Sequence, residues 1–380
     1  MVRVLLFVVA VQQPASAPPP PPKRTVEFTG TVLTNAFYNT ARTNNSDIPV
    51  FADTDATGIS GGSATMRQTR LGVFVTDPDV LGGSFSGELD LDFAGGQTAA
   101  PGNRTFPLLR LRRATASVQW THVTLMIGQE TPLVSDRNPR SLAGIGVPDF
   151  SLAGNLWFWL PQVRVTTEYG SNLRVAFQGA LLAPLTGGTQ GAFATQPDSG
   201  ERSGRPYVEG RVRLGWGPTD DPSEIAIGGH LGWIRGVYNA GTDSIIDSRA
   251  ITFDTRIKLG VAELIGEGFH GQAISGLGGG GIGQYAGTGG APVHTTGGWG
   301  QLNLKPSSQW MFGAGAGIDD PKDADVPATG RFRNLVYESH VQWRPPGPLI
   351  FGFEVRRLNT RYQAGDFKAT HFNLAAGYIF

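Results

Sequence analysis

From residue 25 to the end of the chain, apolar and polar positions alternate with a period of two, in runs of about 10 to 15 residues separated by turn residues. Successive side chains of a strand point to opposite faces, so each run predicts a β-strand with one apolar and one polar face. Strands are expected near 25–40, 65–77, 83–94, 107–120, 122–130, 157–169, 172–183, 205–217, 223–236, 247–260, 262–273, 292–304, 308–318, 331–344, 348–360 and 366–380. The last is the clearest: Phe372, Leu374, Ala376, Tyr378 and Phe380 share one face, and His371, Asn373, Ala375 and Gly377 the other. Two architectures satisfy such a pattern, a soluble sandwich with the apolar faces inside, or a closed barrel with the apolar faces in lipid.

The connections separate them. Short ones, at 78–82, 121, 170–171, 218–222, 261, 305–307 and 345–347, alternate with long ones that include 41–64, 131–156, 184–204, 274–291 and 319–330. Outer-membrane barrels have this asymmetry, with short periplasmic turns and long external loops, whereas a sandwich has no reason to keep its long loops on one side. The expected fold is therefore an all-β, 16-stranded antiparallel transmembrane β-barrel in a bacterial outer membrane, with both termini periplasmic. Phe380 then lies at the periplasmic rim, where barrel-assembly machinery reads closing strands. Trp120, Trp216, Trp343, Tyr169 and Tyr378 fall near short-turn ends, where an interfacial girdle belongs. Beyond the amino terminus no apolar run approaches the roughly 18 residues of a membrane helix, so a closed barrel is the remaining way to span lipid.

The amino terminus reads as a leader. Residues 1–17, with Arg3, a short apolar stretch and Ala15-Ser16-Ala17, have the layout of a signal peptide. Residues 18–24, which open on five prolines, make a stiff periplasmic spacer, and 25–380 form the barrel. The 380 residues hold no cysteine and no net charge, which excludes a disulfide framework and gives no argument for nucleic acid. There is no HExxH, GxSxG or Walker sequence, and the six histidines are scattered with no serine or carboxylate pattern, so neither enzyme, metal nor cofactor is expected. The glycine-rich run 276–290 reads as a mobile external loop.

With the apolar face of each strand set toward lipid, the opposite parity lines the lumen. It carries Gln68 and Arg70, then Glu88, Asp90 and Asp92, then Arg110 and Arg112. Further round come Gln162, Arg164 and Glu168, Arg174 and Gln178, Tyr207, Glu209, Arg211 and Arg213, Asp254, Arg256 and Lys258, and Glu354 with Arg356. The fourth strand changes parity below Arg112-Arg113, which predicts a bulge there or contact with a neighbouring subunit. Twenty-six arginines against five lysines favour a group that stays charged and grips anions by two bonds. Two roles stay open for the wall arginines: an anion-favouring pore, or braces paired with Glu88, Asp90, Asp92 and Glu209. The connection 131–156 mixes Leu142, Ile145, Val147 and Phe150 with Asp136, Arg137, Arg140 and Asp149. Such an apolar content suits a long third loop folded into the lumen, with those four charged residues at a constriction.

Four segments, RQTRLGVFV at 67–75, LRLRRA at 109–114, IGQ at 127–129 and GNLWFWLPQVR at 154–164, resemble the DcaP-type trimeric porins, as does the terminal strand. The resemblance covers mainly 65–170. It implies a homotrimer of sixteen-strand barrels in outer-membrane lipid, a third loop folded into each pore, and passive uptake of small, often anionic solutes past Arg70, Arg110, Arg112 and Arg164. The aromatic Trp157-Phe158-Trp159 stands where that family has a more polar stretch. The alternative function is a structural or adhesin-type barrel without open-channel activity.

Overall fold

The computed structural model describes all residues except 1–23, 55–58, 97–104, 188–195 and 239–241. The expected signal peptide at 1–17 and all but the last residue of the expected 18–24 spacer lie outside the described residues. The remainder forms sixteen antiparallel strand positions closed into one ring. In chain order these are β1 Thr25–Asn39, β2 in two pieces (Gly61–Thr65 and Arg70–Val80), β3 Gly83–Asp92, β4 Arg110–Gln119, β5 Val123–Glu130 and β6 Leu160–Tyr169. They continue as β7 Leu173–Leu182, β8 Tyr207–Trp216, β9 Ser223–Tyr238, β10 Thr242–Leu259 and β11 Ala262–Gln272. The last five are β12 His294–Leu304, β13 Trp310–Pro321, β14 Arg331–Trp343, β15 Leu349–Tyr362 and β16 Gly365–Ile379. Every expected strand is present. Among the described residues the only helices are single 3-10 turns, and none is long and apolar enough to cross a membrane.

Closure is made by β1 against β16, from Thr31↔Ile379 to Asn39↔His371. Just beyond, Gly30 and Phe380 exchange both backbone hydrogen bonds, at 3.0 and 3.1 Å. The pairing leaves no unpaired sheet edge, as a wall in hydrocarbon requires. On the outer face Phe28, Leu173, Phe177, Ile251, Phe253 and Leu374 are all more than half exposed, which is the arrangement of an apolar belt. Near the short-turn ends Trp310 stacks on Trp343 with centroids 5.9 Å apart, and Tyr169 on His122 at 5.1 Å.

Two strands depart from regularity, and both departures re-aim side chains inward. In β4, Arg113 opposes Asp90 while Leu111 opposes Leu91, so Arg112 is an extra, bulged residue. The bulge allows Arg110, Arg112 and Arg113 all to bond carboxylates that face the interior, while Leu111 stays exposed outside. This is the parity slip visible in the sequence. In β2, residues 66–69 leave the ladder, and Arg67, Gln68 and Thr69 are buried. Thr69 Oγ1 takes the Leu33 amide at 3.1 Å, in place of a strand partner.

One expectation is corrected. The glycine-rich segment after β11 is packed against the protein, not extended into solvent: Ile274, Leu277 and Ile282 are 1% exposed or less. Its glycines serve close approach. A Cβ on Gly276 would lie 1.9 Å from the Leu185 carbonyl oxygen, and one on Gly278, at φ 91°, would lie 2.8 Å from the Phe158 ring. The segment reads as flexible by composition, but its glycines are there because no side chain fits.

Gly30 is equally confined, with the Phe380 ring 2.6 Å from where its Cβ would be and the Arg70 carbonyl oxygen 2.7 Å away. Gly30→Leu is expected to destabilise closure by about 1–3 kcal/mol, read as a lower temperature of loss of heat-modifiable gel migration; Gly61→Ala, with open space at its Cβ, should migrate as wild type.

Candidate functional site

The sites suggested by the sequence converge on the inner face of the ring and on the connection 131–156. Three short strands set up the first cluster. Arg70 of β2 grips Asp90 of β3 by two bonds of 2.6 Å. Arg110 of β4 grips Asp92 at 3.0 and 2.6 Å. Bulged Arg112 reaches both carboxylates, at 3.3 Å to Asp90 and 3.0 Å to Asp92, and Arg113 pairs with Glu88. The Trp159 ring covers Arg110 and Arg112, with guanidinium carbons 5.0 and 4.7 Å from its centroid. The aromatic stretch that stood apart from the resembling family thus caps this cluster. The geometry fits the brace alternative for Arg110 and Arg112, because their forks are already occupied by fixed carboxylates.

The same arginines hold the third loop. Arg110 and Arg112 donate to the carbonyls of Gly146 and Ile145, and the Ile145 amide donates to Gln68 at 2.8 Å. Arg164 of β6 donates to the Thr131 carbonyl at 2.8 Å. Further along, Arg137 donates to Asp254 of β10 at 2.9 Å and pairs with Glu224 of β9, while its amide donates to Glu267 of β11 at 2.8 Å. Asp136 lies 3.6 Å from Arg211, which itself forks onto Asp254 at 2.8 and 2.7 Å. Burial opposes ionisation of Asp136, but the guanidiniums of Arg211, Arg137, Arg164 and Arg213 outweigh it and hold its carboxyl below the usual range. At the far end Ser141 donates to Glu354 of β15 at 2.5 Å, and Asp149 pairs with Arg356. The partners of this one loop therefore run from β2 round to β15. Its apolar residues fill the spaces between: Leu133 and Val134 join Leu160, Leu182 and Tyr207, and Phe150 stacks on Trp299.

Several wall arginines are deeper than a solute contact allows. Arg356 is 1% exposed, bonded to Glu354, Asp149 and the Pro49 carbonyl. Arg174 is spent on the short turns, donating to the Ser171 and Gly217 carbonyls at 3.2 and 3.1 Å. Glu209, expected as a partner for arginine, bonds His230 instead. Arg213 pairs with Glu168 and with Glu224, at 3.1 Å to the latter.

A group of half-exposed cations lies at the short-turn mouth. A cavity of about 660 Å³ is bounded by Pro139 to Leu142 of the loop and by Arg70, Arg256, Lys305 and Arg344 of the wall, with Asp221 its one acidic residue. Behind that surface buried Glu263 receives Arg140 at 3.2 Å, Arg256 at 2.8 Å and Lys305 at 3.2 Å. Asp221 receives Arg256 at 2.6 Å and also Lys258. Four cations share two carboxylates, and Arg140 and Lys305 keep 41% and 43% of their side-chain surface exposed.

Sequence parity missed four acidic residues of this network. Glu224, Glu263, Glu267 and Glu338 face inward on β9, β11 and β14, and the same alternation that located Asp254 marks them: Ile225 and Ile227, Leu264, and Tyr337 fall on the other parity. Also missed is a chain across β8, β9 and β10, in which His230 lies 3.0 Å from Glu209 through Nδ1 and 3.0 Å from the Ser248 hydroxyl through Nε2. Cross-strand pairing, not sequence proximity, assembles it. Ser248 is 2% exposed, so the chain is a buried polar strut.

No family model matches the sequence, and no curated protein matches it. Solved structures do match the fold. The outer membrane channel DcaP of Acinetobacter baumannii superposes with a TM-score of 0.71 at 16% identity, over 94% of this chain and 97% of that one. The fold is that of a porin barrel. An anion-selective porin from Comamonas acidovorans follows with a TM-score of 0.59 at 15% identity, over 94% of this chain and all of that one. OprB of Pseudomonas putida gives 0.54 at 10% identity, over 93% and 94%. The similarity in shape extends over the second half of the chain, where the sequence resembles that group only in style.

Removing one partner of a buried pair strands the others. Arg356→Met, which leaves Asp149 and Glu354 buried without their guanidinium, is expected to cost roughly 3–5 kcal/mol, whereas Arg70→Met, at a half-exposed position whose Asp90 keeps Arg112, should cost about 1 kcal/mol or less. Urea unfolding of the two variants in detergent, followed by tryptophan fluorescence, measures the difference.

Proposed function

We propose that this chain is an outer-membrane diffusion channel for small hydrophilic solutes with a weak preference for anions. The observation that carries the reading is the cavity at the short-turn mouth, where exposed cations outnumber carboxylates beside a loop tied to the inner wall. The closed ring with an apolar exterior supports placement in outer-membrane lipid, and the likeness to an anion-selective porin of the same fold agrees with the sign of the charge. In this reading the 131–156 loop lies within the lumen and narrows it, so that Asp136, Arg137, Arg140 and Asp149 stand at the constriction. Its bonds to inward-facing side chains on opposite walls support that placement.

Selectivity on this account comes from Arg140, Arg256 and Lys305, while Arg110, Arg112, Arg211 and Arg356 fix the loop. The surplus is small because most inner guanidiniums are neutralised by neighbouring carboxylates, which is why the preference is weak. Both termini are proposed to face the periplasm, with Phe380 presented to barrel-assembly machinery, and the homotrimer implied by the resemblance belongs to the same proposal. An adhesin-type barrel without conductance is the second reading, favoured by the depth at which Arg356 and Arg211 are buried. A plugged scaffold gives no current in planar bilayers, whereas a channel does.

Across a salt gradient the reversal potential is expected to have the anion-selective sign. The double variant Arg140→Gln/Lys305→Gln should move it toward zero or beyond, and Arg110→Met should leave it unchanged; cation selectivity in the wild type would defeat the charge argument.

A further inference from the structure

Independently of transport, one group of inward side chains gathers three carboxyl groups about a single guanidinium. His340 of β14 stands directly across from Glu354 of β15, and Glu338 lies two residues before His340 on the same face. Asp149 of the loop and Arg356 of β15 complete the group, and all five are buried. Arg356 donates to Glu354 at 2.6 Å and to Asp149, and His340 Nδ1 lies 2.5 Å from Glu338 Oε1. Ser141 also donates to Glu354, and Gln301 donates to Glu338 at 3.0 Å. Three carboxyl groups thus converge on one guanidinium and one imidazole. Burial, with Glu354 and Glu338 beside it, raises the Asp149 carboxyl well above its usual range despite Arg356.

The geometry is that of a metal-binding set. One donor atom each from Glu338, His340 and Glu354 lies within 4.8 Å of the other two. Zinc bonds of about 2.0–2.2 Å at the tetrahedral angle place two ligand atoms about 3.4 Å apart, so side-chain movements of up to about 1.4 Å complete the set. Two buried atoms of the group, His340 Nε2 and Asp149 Oδ2, have no hydrogen-bond partner, although buried polar atoms are rarely left so. We propose that Glu338, His340 and Glu354 bind one divalent cation of the zinc class in the barrel wall. The mixed imidazole and carboxylate donors suit that class better than Mg²⁺ or Ca²⁺, which prefer oxygen alone. Its positive charge faces carboxyl groups that outnumber the guanidinium, and it ties β14 to β15 at the point where Ser141 and Asp149 of the loop dock.

The test uses the full chain, purified in detergent, stripped with chelator and then loaded with Zn²⁺ and desalted. Elemental analysis is expected to give one tightly held zinc per chain more in the wild type than in His340→Ala/Glu354→Gln, and Zn²⁺ should raise the thermal midpoint of the wild type reversibly by chelator. His294→Ala, which removes an exposed histidine paired with Asp325, should retain the zinc. If the double variant does not fold, the wild type still decides: no retained zinc and no chelator-reversible rise in midpoint overturn the proposal. Loss of the zinc in His294→Ala overturns it too, by placing the ion at the surface.

Discussion

The pairing of guanidinium groups with buried acceptors on the inner face is the interaction on which the rest of this molecule depends. A sixteen-strand ring needs nothing inside to satisfy its backbone, since neighbouring strands do that. Its inner side chains, however, are densely charged, and charge taken from water without a partner is costly. The solution is mutual: Asp90 and Asp92 are held by Arg70, Arg110 and Arg112, and the surplus donor capacity of those forks goes to the carbonyls of Ile145 and Gly146. A wall that stabilises its own charges in this way becomes the template for the loop. The five donors of arginine make this possible, which accounts for the composition better than anion recognition alone.

From that constraint follows a division of labour along the barrel. Where the loop meets the wall, positive charge is consumed by structure. Below it, at the short-turn mouth, Arg140, Arg256, Lys258 and Lys305 share Glu263 and Asp221, and a net positive surface remains. The location of the residual charge, and not the number of arginines, sets the sign of the field a solute meets. The Trp159 ring over Arg110 and Arg112 belongs to the structural part: it shields a cluster whose charge is already matched.

Much of the architecture was legible because period-two alternation and turn length are local. The sixteen strands, the outward aromatic face of β16 and the bulge at Arg112 all follow from parity, since a lipid-facing position tolerates no charge and a one-residue slip shows immediately. The site was legible in its residue types but not in its pairings. That Glu209 meets His230 rather than an arginine depends on the register of β8 against β9, and that Asp149 meets Arg356 depends on a loop path 207 residues distant in sequence. The glycine-rich segment after β11 misled for a related reason. Composition records that side chains are absent, and only the fold shows that Leu185 and Phe158 occupy their place.

The claim that the loop is fixed against the wall can be tested directly, because the chain has no cysteine of its own. A Cβ on Gly146 would lie 2.9 Å from that of Ala94, within about an ångström of the ~3.8 Å of a disulfide. In the Gly146→Cys/Ala94→Cys variant, oxidation is expected to cross-link the folded barrel in high yield and to leave its single-channel current the same before and after reduction. Failure to cross-link, or a current that changes several-fold on reduction, would contradict a loop held in place by the wall.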